Sequence, residues 1–460
     1  MRHDTDRLLP SEAVTSLDAH LATGGGAGLE RALELGGDAV IAEIEAAGLR
    51  GRGGAGFPTA TKWRGVRDTA RAGGARLTLV ANAAEGEPGT YKDRTLLEVQ
   101  PYAFLEGVCI ALHASGADYA VVGIKEKFTT PLARLTAALQ EVVAAGWSHA
   151  DRIRIVPGPD EYLFGEESAM LEVIEGDLPM PRIVKPYELG LGATTASPNP
   201  TIVNNVETLS HAARILANGA DWFRQAGTQA SPGTMVFTVV GDVANPGVYE
   251  LALGTSLRTL LEDIAGAEDV KAVYSGVSNA VITPSMLDTP LCFDAMSDAG
   301  SGLGSGGFVV YDSSRHIADV LSVLVRFLAV ESCGQCNACK LGNTAMSESL
   351  QRVQAGEADD IELDTIAETV SGVTDQNRCY LPVGSQLLVG STMQAFAEEL
   401  TSTVRERRST PADLPTPLIE SIDADTGEVT YDPRYHLKQL DWSYADQDPA
   451  AERLRAIRRT

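Results

Sequence analysis

Cys333, Cys336 and Cys339 stand at i, i+3 and i+6 in the run Cys333-Gly334-Gln335-Cys336-Asn337-Ala338-Cys339, and Cys379 follows farther along. Three thiolates at this spacing gather around one tight turn, and a fourth from a distant loop completes a set of four ligands. That count and compactness suit a cubane 4Fe–4S cluster. A Cys₄ zinc site is the alternative, although structural zinc more often uses two separate C-x-x-C pairs. Of the six cysteines, Cys109 and Cys292 lie in apolar runs and read as core thiols.

A second group is the glycine-rich run Gly51-Arg52-Gly53-Gly54-Ala55-Gly56-Phe57-Pro58. It matches G-x-G-x-x-G at Gly51, Gly53 and Gly56, but a helix is expected before it, where the dinucleotide fingerprint requires a strand. Such a loop still lets the backbone approach a phosphate or a flat ring closely. The bland reading is a flexible turn. A third group is polar: Asn82 to Gly89, Tyr162 to Glu167, and Val203-Asn204-Asn205-Val206-Glu207-Thr208. These are expected as loops at the carboxyl ends of strands, where open α/β sheets bind ligands. Taken singly, each is also a plausible capped helix start. The 7 histidines are scattered and form no nucleophile–His–acid pattern.

The elements that must position these groups alternate. Residues 1–50 read as helix. Leu77–Ala81, Tyr119–Ile124 and Ile153–Val156 read as strands, and Leu96–Ala114, Leu132–Ala145 and Glu167–Ile174 as helices. That alternation predicts an α/β fold with a parallel sheet covered by helices. Short β-like runs over 235–312 predict a small β-rich domain. Helical spacing at Ile317, Val320, Leu321, Leu324, Phe327 and Leu328 opens a helical region that runs to about Arg405. Val320–Val330 reads as a buried amphipathic helix. The expected domains are 1–230, 231–312 and 313–405, followed by a tail at 406–460. The tail has one hairpin-like stretch at Thr426-Gly427 and is expected to lie over a surface or a partner.

A net charge of −25 argues against binding nucleic acid or an anionic membrane. Met1–Pro10 has charges and no apolar core, so no signal peptide is expected. No run of about 18 apolar residues predicts direct membrane insertion. The expected location is cytoplasmic, with any membrane association made through a larger complex.

Six motifs then fall in one order: residues 48–59, Glu-Gly-Glu-Pro-Gly-Thr at 85–90, Gly-Glu-Glu at 165–167, Val-Asn-Asn-Val-Glu-Thr at 203–208, Gly-Ser-Gly-Gly at 304–307 and Glu-Ser-Cys-Gly-Gln-Cys at 331–336. With them, residues 15–405 closely resemble the NADH-binding flavin subunit (F type) of respiratory complex I and its relatives in NAD-linked hydrogenases and formate dehydrogenases. The resemblance implies a Rossmann-like FMN domain, a β-grasp (SLBB-type) domain and a helical 4Fe–4S domain. It implies that Gly51, Arg52, Gly53, Gly54 and Gly56, with Lys62, Asn82, Glu85, Tyr162, Gly165, Glu166, Val203, Asn204, Asn205 and Thr208, hold FMN. Phe57, Lys185 and the catalytic candidates Glu87 and Glu167 are implied to face NAD(H). Cys333, Cys336, Cys339 and Cys379 are implied to bind the cluster, as their spacing suggests independently.

A flavin converts the hydride pair of NADH into single electrons for a cluster. The implied activity is therefore NADH dehydrogenase, and Glu167 is expected to disfavour a 2′-phosphate by like-charge repulsion. The implied partners are a thioredoxin-like 2Fe–2S subunit and a larger multi-cluster Fe–S subunit. Three departures stand out: Ala84 replaces the usual Asp, Gly65 stands where an aromatic is common, and Lys185-Pro186-Tyr187 breaks the usual pattern. They motivate an alternative, a flavin–cluster relay that no longer binds NADH directly.

Overall fold

The structure is a computed structural model that describes residues 7–410, 414–423 and 426–445. Its first sheet contains β1 (Thr78–Ala83), β2 (Tyr119–Lys125), β3 (Ile153–Gly158) and β4 (Thr201–Asn205), in the order β3-β2-β1-β4. All neighbours are parallel. The two faces bury into different cores, as the period of a strand requires. Leu79, Ala81, Val122 and Ile202 enter the larger core, while Val80, Val121 and Val203 pack with Phe164 and Met170 on the other side.

Several sequence expectations change in detail. Residues 1–50 form no continuous helix. Leu17–Ala22, Ala27–Leu35 and Gly37–Ala47 are separate helices, interrupted where Gly24, Gly26 and Gly36 take positive φ. The expected helix Leu96–Ala114 is two, Lys92–Val99 and Pro101–Ser115, bent by 99°. Pro101 lacks the N–H that would continue the first helix. The stretch Val203–Thr208 is not a loop: it is the end of β4 and the start of the helix Val206–Asn218. Thr59–Gly73, unassigned from sequence, is a helix that buries Trp63.

The β-rich region forms a second sheet from β5 (Thr234–Gly241), β6 (Gly247–Ala252), β7 (Val270–Tyr274) and β8 (Gly307–Asp312), ordered β6-β5-β8-β7. β5 and β8 run parallel at its centre and the outer pairs are antiparallel. Helices then follow at Ile317–Glu331, Asn337–Ala355, Asp360–Gly372, Leu381–Ala395 and Ala397–Glu406. Ile317–Glu331 is the expected buried helix, with only Val323 and Arg326 less than fully covered. Among the described residues no single helix is long and apolar enough to cross a membrane.

β9 (Ile419–Ile422) and β10 (Val429–Tyr431) form the antiparallel hairpin expected around Thr426-Gly427. The described part of the tail is built into the protein. Gly89 N–H donates to Pro417 O at 2.6 Å, and Arg94 Nη1 donates to Ile419 O at 2.6 Å. Glu331 is the deepest anchor. Its Oε1 accepts from Lys438 Nζ at 2.8 Å and Tyr435 Oη at 2.9 Å, and its Oε2 accepts from Tyr162 N–H at 2.9 Å. Both charged partners are almost fully buried. Removing one member of such a pair strands the other, at about 3 kcal/mol. Lys438→Met should therefore lower the thermal midpoint by several degrees, and adding Glu331→Gln should recover part of the loss. Equal midpoints for wild type and Lys438→Met in a thermal scan would show that the pair does not hold the tail down.

Candidate flavin and cluster site

The loops after the strands of the first sheet open onto a cavity of about 740 Å³. The structure brings nearly all the predicted residues to its wall: Gly51, Gly53, Gly54, Gly56, Phe57, Lys62, Asn82, Glu85, Glu87, Tyr162, Gly165, Glu166, Glu167, Lys185, Val203, Asn204, Asn205 and Thr208. Arg52 is the exception. Its guanidinium points away and donates to Thr234 O, Pro232 O and Arg50 O, so it ties the glycine loop to the second sheet. Only its backbone N–H, bonded to Thr208 Oγ1 at 2.8 Å, belongs to the site.

The glycine loop is closed by Gly51 N–H to Phe57 O at 2.9 Å. Gly54 and Gly56 have φ of +129° and +60°, which side chains avoid. A Cβ on Gly56 would meet the Phe293 ring at 2.5 Å, and one on Gly53 would lie 3.1 Å from Asn205 Cβ. The loop is thus a bare backbone cradle with no room for a side chain at Gly53 or Gly56. Helices beginning at Thr59, Glu167 and Val206 direct their N-termini toward the same space. Those partial positive charges, with Lys62 and Lys185, suit the phosphate of a flavin nucleotide.

Many polar side chains here are already engaged. Glu166 caps its helix through Ser168 N–H and Ala169 N–H at 2.9 and 2.8 Å. Asn82 Nδ2 donates to Gly165 O at 2.7 Å, and Asn204 Oδ1 accepts from Trp63 Nε1 at 2.7 Å. Glu85 accepts from Arg94 Nε at 2.9 Å and from Asp93 N–H. Lys62 Nζ bridges Glu167 Oε1 at 2.7 Å and Val203 O at 3.0 Å. Glu87 is held by Tyr162 Oη at 2.5 Å and Val277 N–H at 2.7 Å. Burial raises its carboxyl above the ordinary range against the pull of those hydrogen bonds. Gly65 lies outside the wall, whereas Ala84 is in it.

A buried charge network supports the floor. Lys92 Nζ lies 2.7 Å from Asp93 and 2.8 Å from Glu207, and Asn205 Nδ2 donates to Asp93 at 2.6 Å. Burial alone would raise Glu207, but Lys92, His211 and Arg52 outweigh it and hold the carboxyl down at about 2. Burial drives His211 down to about 4.

Sequence reasoning missed one side of the cavity. Ser278, Asn279, Gly304 and Ser305 come from the second sheet's loops, and Cys379, Tyr380 and Leu381 from the helical region. The Gly-Ser-Gly-Gly motif at 304–307 hinted at the former; nothing marked Ser278 or Tyr380. Cys379 therefore belongs both to this wall and to the cysteine group. All four cysteines border one apolar core. Burial raises Cys339, and pushes Cys379 up to about 12, with neighbouring cysteines adding repulsion in each case. Cationic iron would offset that cost. Ser332 Oγ lies 3.2 Å from Cys339 Sγ, and Gln335 Nε2 donates to Cys333 Sγ at 3.6 Å. Among the described residues no three His, Cys, Asp or Glu side chains converge on a point that could hold one metal ion.

Comparison with known proteins agrees. Residues 44–214 match the Nuo51 FMN-binding domain, 236–276 the SLBB domain, and 319–403 the NADH-ubiquinone oxidoreductase-F iron-sulfur binding region. The NADH-quinone oxidoreductase F 2 subunit of Rhizobium meliloti (strain 1021) is 36% identical over 408 residues, 85% of this chain and 95% of that one. The chain belongs to the family of NADH-quinone oxidoreductase F subunits. The F subunit of Streptomyces coelicolor is 34% identical over 84% of this chain and 87% of its own. Two solved structures of NAD+-reducing NiFe-hydrogenase, air-oxidised and H2-reduced, superpose with TM-scores of 0.73 and 0.76 at 33% identity. They match 84% and 88% of this chain, which spans 65% and 68% of theirs. This F-type chain is thus an oxidoreductase with an FMN-binding α/β domain, an SLBB domain and a 4Fe–4S region, in the expected order.

The His211 shift makes a pH prediction. A base held neutral in the folded state loses stability as pH falls from 6.5 toward 4, because the unfolded chain takes the proton first. The full effect is about 3 kcal/mol. Asp93, raised by burial, acts in the opposite direction. Comparison with His211→Phe isolates the histidine: the wild-type thermal midpoint should fall more steeply than the variant's over that window. Parallel profiles would remove His211 as the acid-sensitive group.

Proposed function

We propose that the cavity holds FMN on its glycine-loop side and NAD(H) toward Glu87 and Glu167, and that electrons leave through a cluster on Cys333, Cys336, Cys339 and Cys379. The observation that carries this reading is the shared wall: Cys379 lines the same cavity as Gly51–Gly56 and Asn204–Asn205. When bound, FMN accepts a hydride and yields single electrons, and the cluster takes them one at a time.

The chain's own residues do the rest. The glycine backbone and the N-termini of the helices at Thr59 and Val206 receive the phosphate, while Asn82, Asn204, Asn205 and Thr208 shape the floor beneath the ribityl chain. Tyr162 and Val277 fix Glu87 in one orientation. Its raised proton affinity suits it to supply or take the proton that balances each hydride. Tyr162 also packs edge-on against Phe327 at 5.2 Å, which joins the cavity to the cluster-bearing helices through apolar contact and excludes water there. The described residues hold one cluster set, so the electrons pass on to other subunits. A thioredoxin-like 2Fe–2S protein and a larger multi-cluster Fe–S protein are the proposed acceptors. The relatives are themselves named as subunits.

Glu167 sets the nucleotide preference. Lys62 offsets part of its charge, but the carboxylate remains 46% exposed. It would repel a 2′-phosphate, and Glu167→Gln should narrow the NADH-over-NADPH preference roughly tenfold. The whole reading is tested by an anaerobic NADH titration of the full chain reconstituted with FMN and iron–sulfur, followed by flavin absorbance. Stoichiometric NADH should bleach the flavin and NADPH should not. Flavin that binds but stays oxidised under NADH would favour the relay reading instead.

A further inference from the structure

Tyr380 is the residue directly after Cys379. It is the N-cap residue of the helix Leu381–Ala395, and it is 55% exposed although it lines the cavity. Among the described residues the exposed large apolar side chains include three aromatic rings, Phe57, Tyr187 and Tyr380. Two of these, Phe57 at 50% and Tyr380, open into this one cavity. The third aromatic of the wall, Tyr162, is already engaged with Glu87 and Phe327. Half-uncovered rings in a concave site are stacking surfaces awaiting a flat ligand.

The Tyr380 backbone is firmly placed. Gly384 N–H donates to Tyr380 O at 2.9 Å. Gly384 itself packs so closely that a Cβ there would meet Val277 O at 2.7 Å and Ser278 Cα at 3.0 Å. That is the loop whose Val277 N–H grips Glu87, so Tyr380 and Glu87 are positioned by the same segment. Among the described residues the Tyr380 hydroxyl makes no hydrogen bond, so both ring and hydroxyl are available to a ligand, and Tyr380→Phe separates the two. Meanwhile Gly65, the place where an aromatic is usual, is an exposed position outside the wall.

We propose that Tyr380 stacks on a ring of the nicotinamide dinucleotide, with Phe57 supplying a second aromatic contact from the glycine loop. This binding role rests on the reading of the cavity as an NAD(H) site, and it assigns to the cluster-bearing region a part in holding the nucleotide. Tyr380→Ala and Tyr380→Phe are compared with wild type as the full chain loaded with FMN and cluster. The readouts are the Kd for NAD+ by calorimetry, the FMN-to-protein ratio and the iron content. Stacking of a base on an aromatic ring sets the expected scale. Tyr380→Ala should raise the Kd about tenfold, and Tyr380→Phe should stay within about twofold of wild type, with FMN and iron unchanged in both. Wild-type affinity in Tyr380→Ala would overturn the inference and leave the NAD(H) reading intact, as would a variant that loses FMN while its NAD+ affinity is unchanged. A wild-type protein that takes up FMN but shows no NAD+ binding would overturn both.

Discussion

Glu331 sits where the first helix of the iron–sulfur region, the cavity and the C-terminal tail meet. A buried carboxylate is expensive unless all its lone pairs are used. Here three donors from two distant parts of the chain meet it: Lys438 and Tyr435 from the tail, and the Tyr162 backbone from the cavity rim. The charge therefore holds these parts together, because none can withdraw without leaving it unsatisfied. Tyr162 is thereby fixed, and through its hydroxyl so is Glu87.

The rest of the site follows the same economy. Polar side chains that resemble free ligand-binding groups in the sequence are mostly occupied in building the wall. Glu166 caps a helix, Glu85 pairs with Arg94, and Asn204 anchors Trp63. What stays open is backbone at the glycine loop, Lys185, the half-exposed Glu167 carboxylate, and two aromatic side chains. This division gives a rigid cavity: side chains set the shape, and the peptide chain and helix ends offer the binding surface.

Much of this was legible in the residues. The cysteine spacing and the glycine loop stand out because few other chemistries use them. The parallel sheet was visible in three apolar runs. β4 was hidden because its last residues, Asn204 and Asn205, are polar, and five residues give little periodicity. The helix breaks at Gly36 and Pro101 each rest on one residue inside a longer stretch of apolar spacing, which masks them. Arg52 looked like a ligand by its place between glycines, yet its long side chain reaches the second sheet. Ser278 and Tyr380 carry no local signal; only the packing of separate domains brings them to the cavity.

That packing has a consequence for biogenesis. The cavity's first wall, at the glycine loop, is translated early, and its last, at Cys379 to Leu381, much later, with the clamp at Lys438 later still. A nascent chain with only its α/β portion emerged has a cradle open on the side that Ser278, Ser305 and Tyr380 later close. Enclosure of the cavity is thus tied to completion of the polypeptide, and a flavin nucleotide that met a truncated chain would be left open to solvent and oxygen.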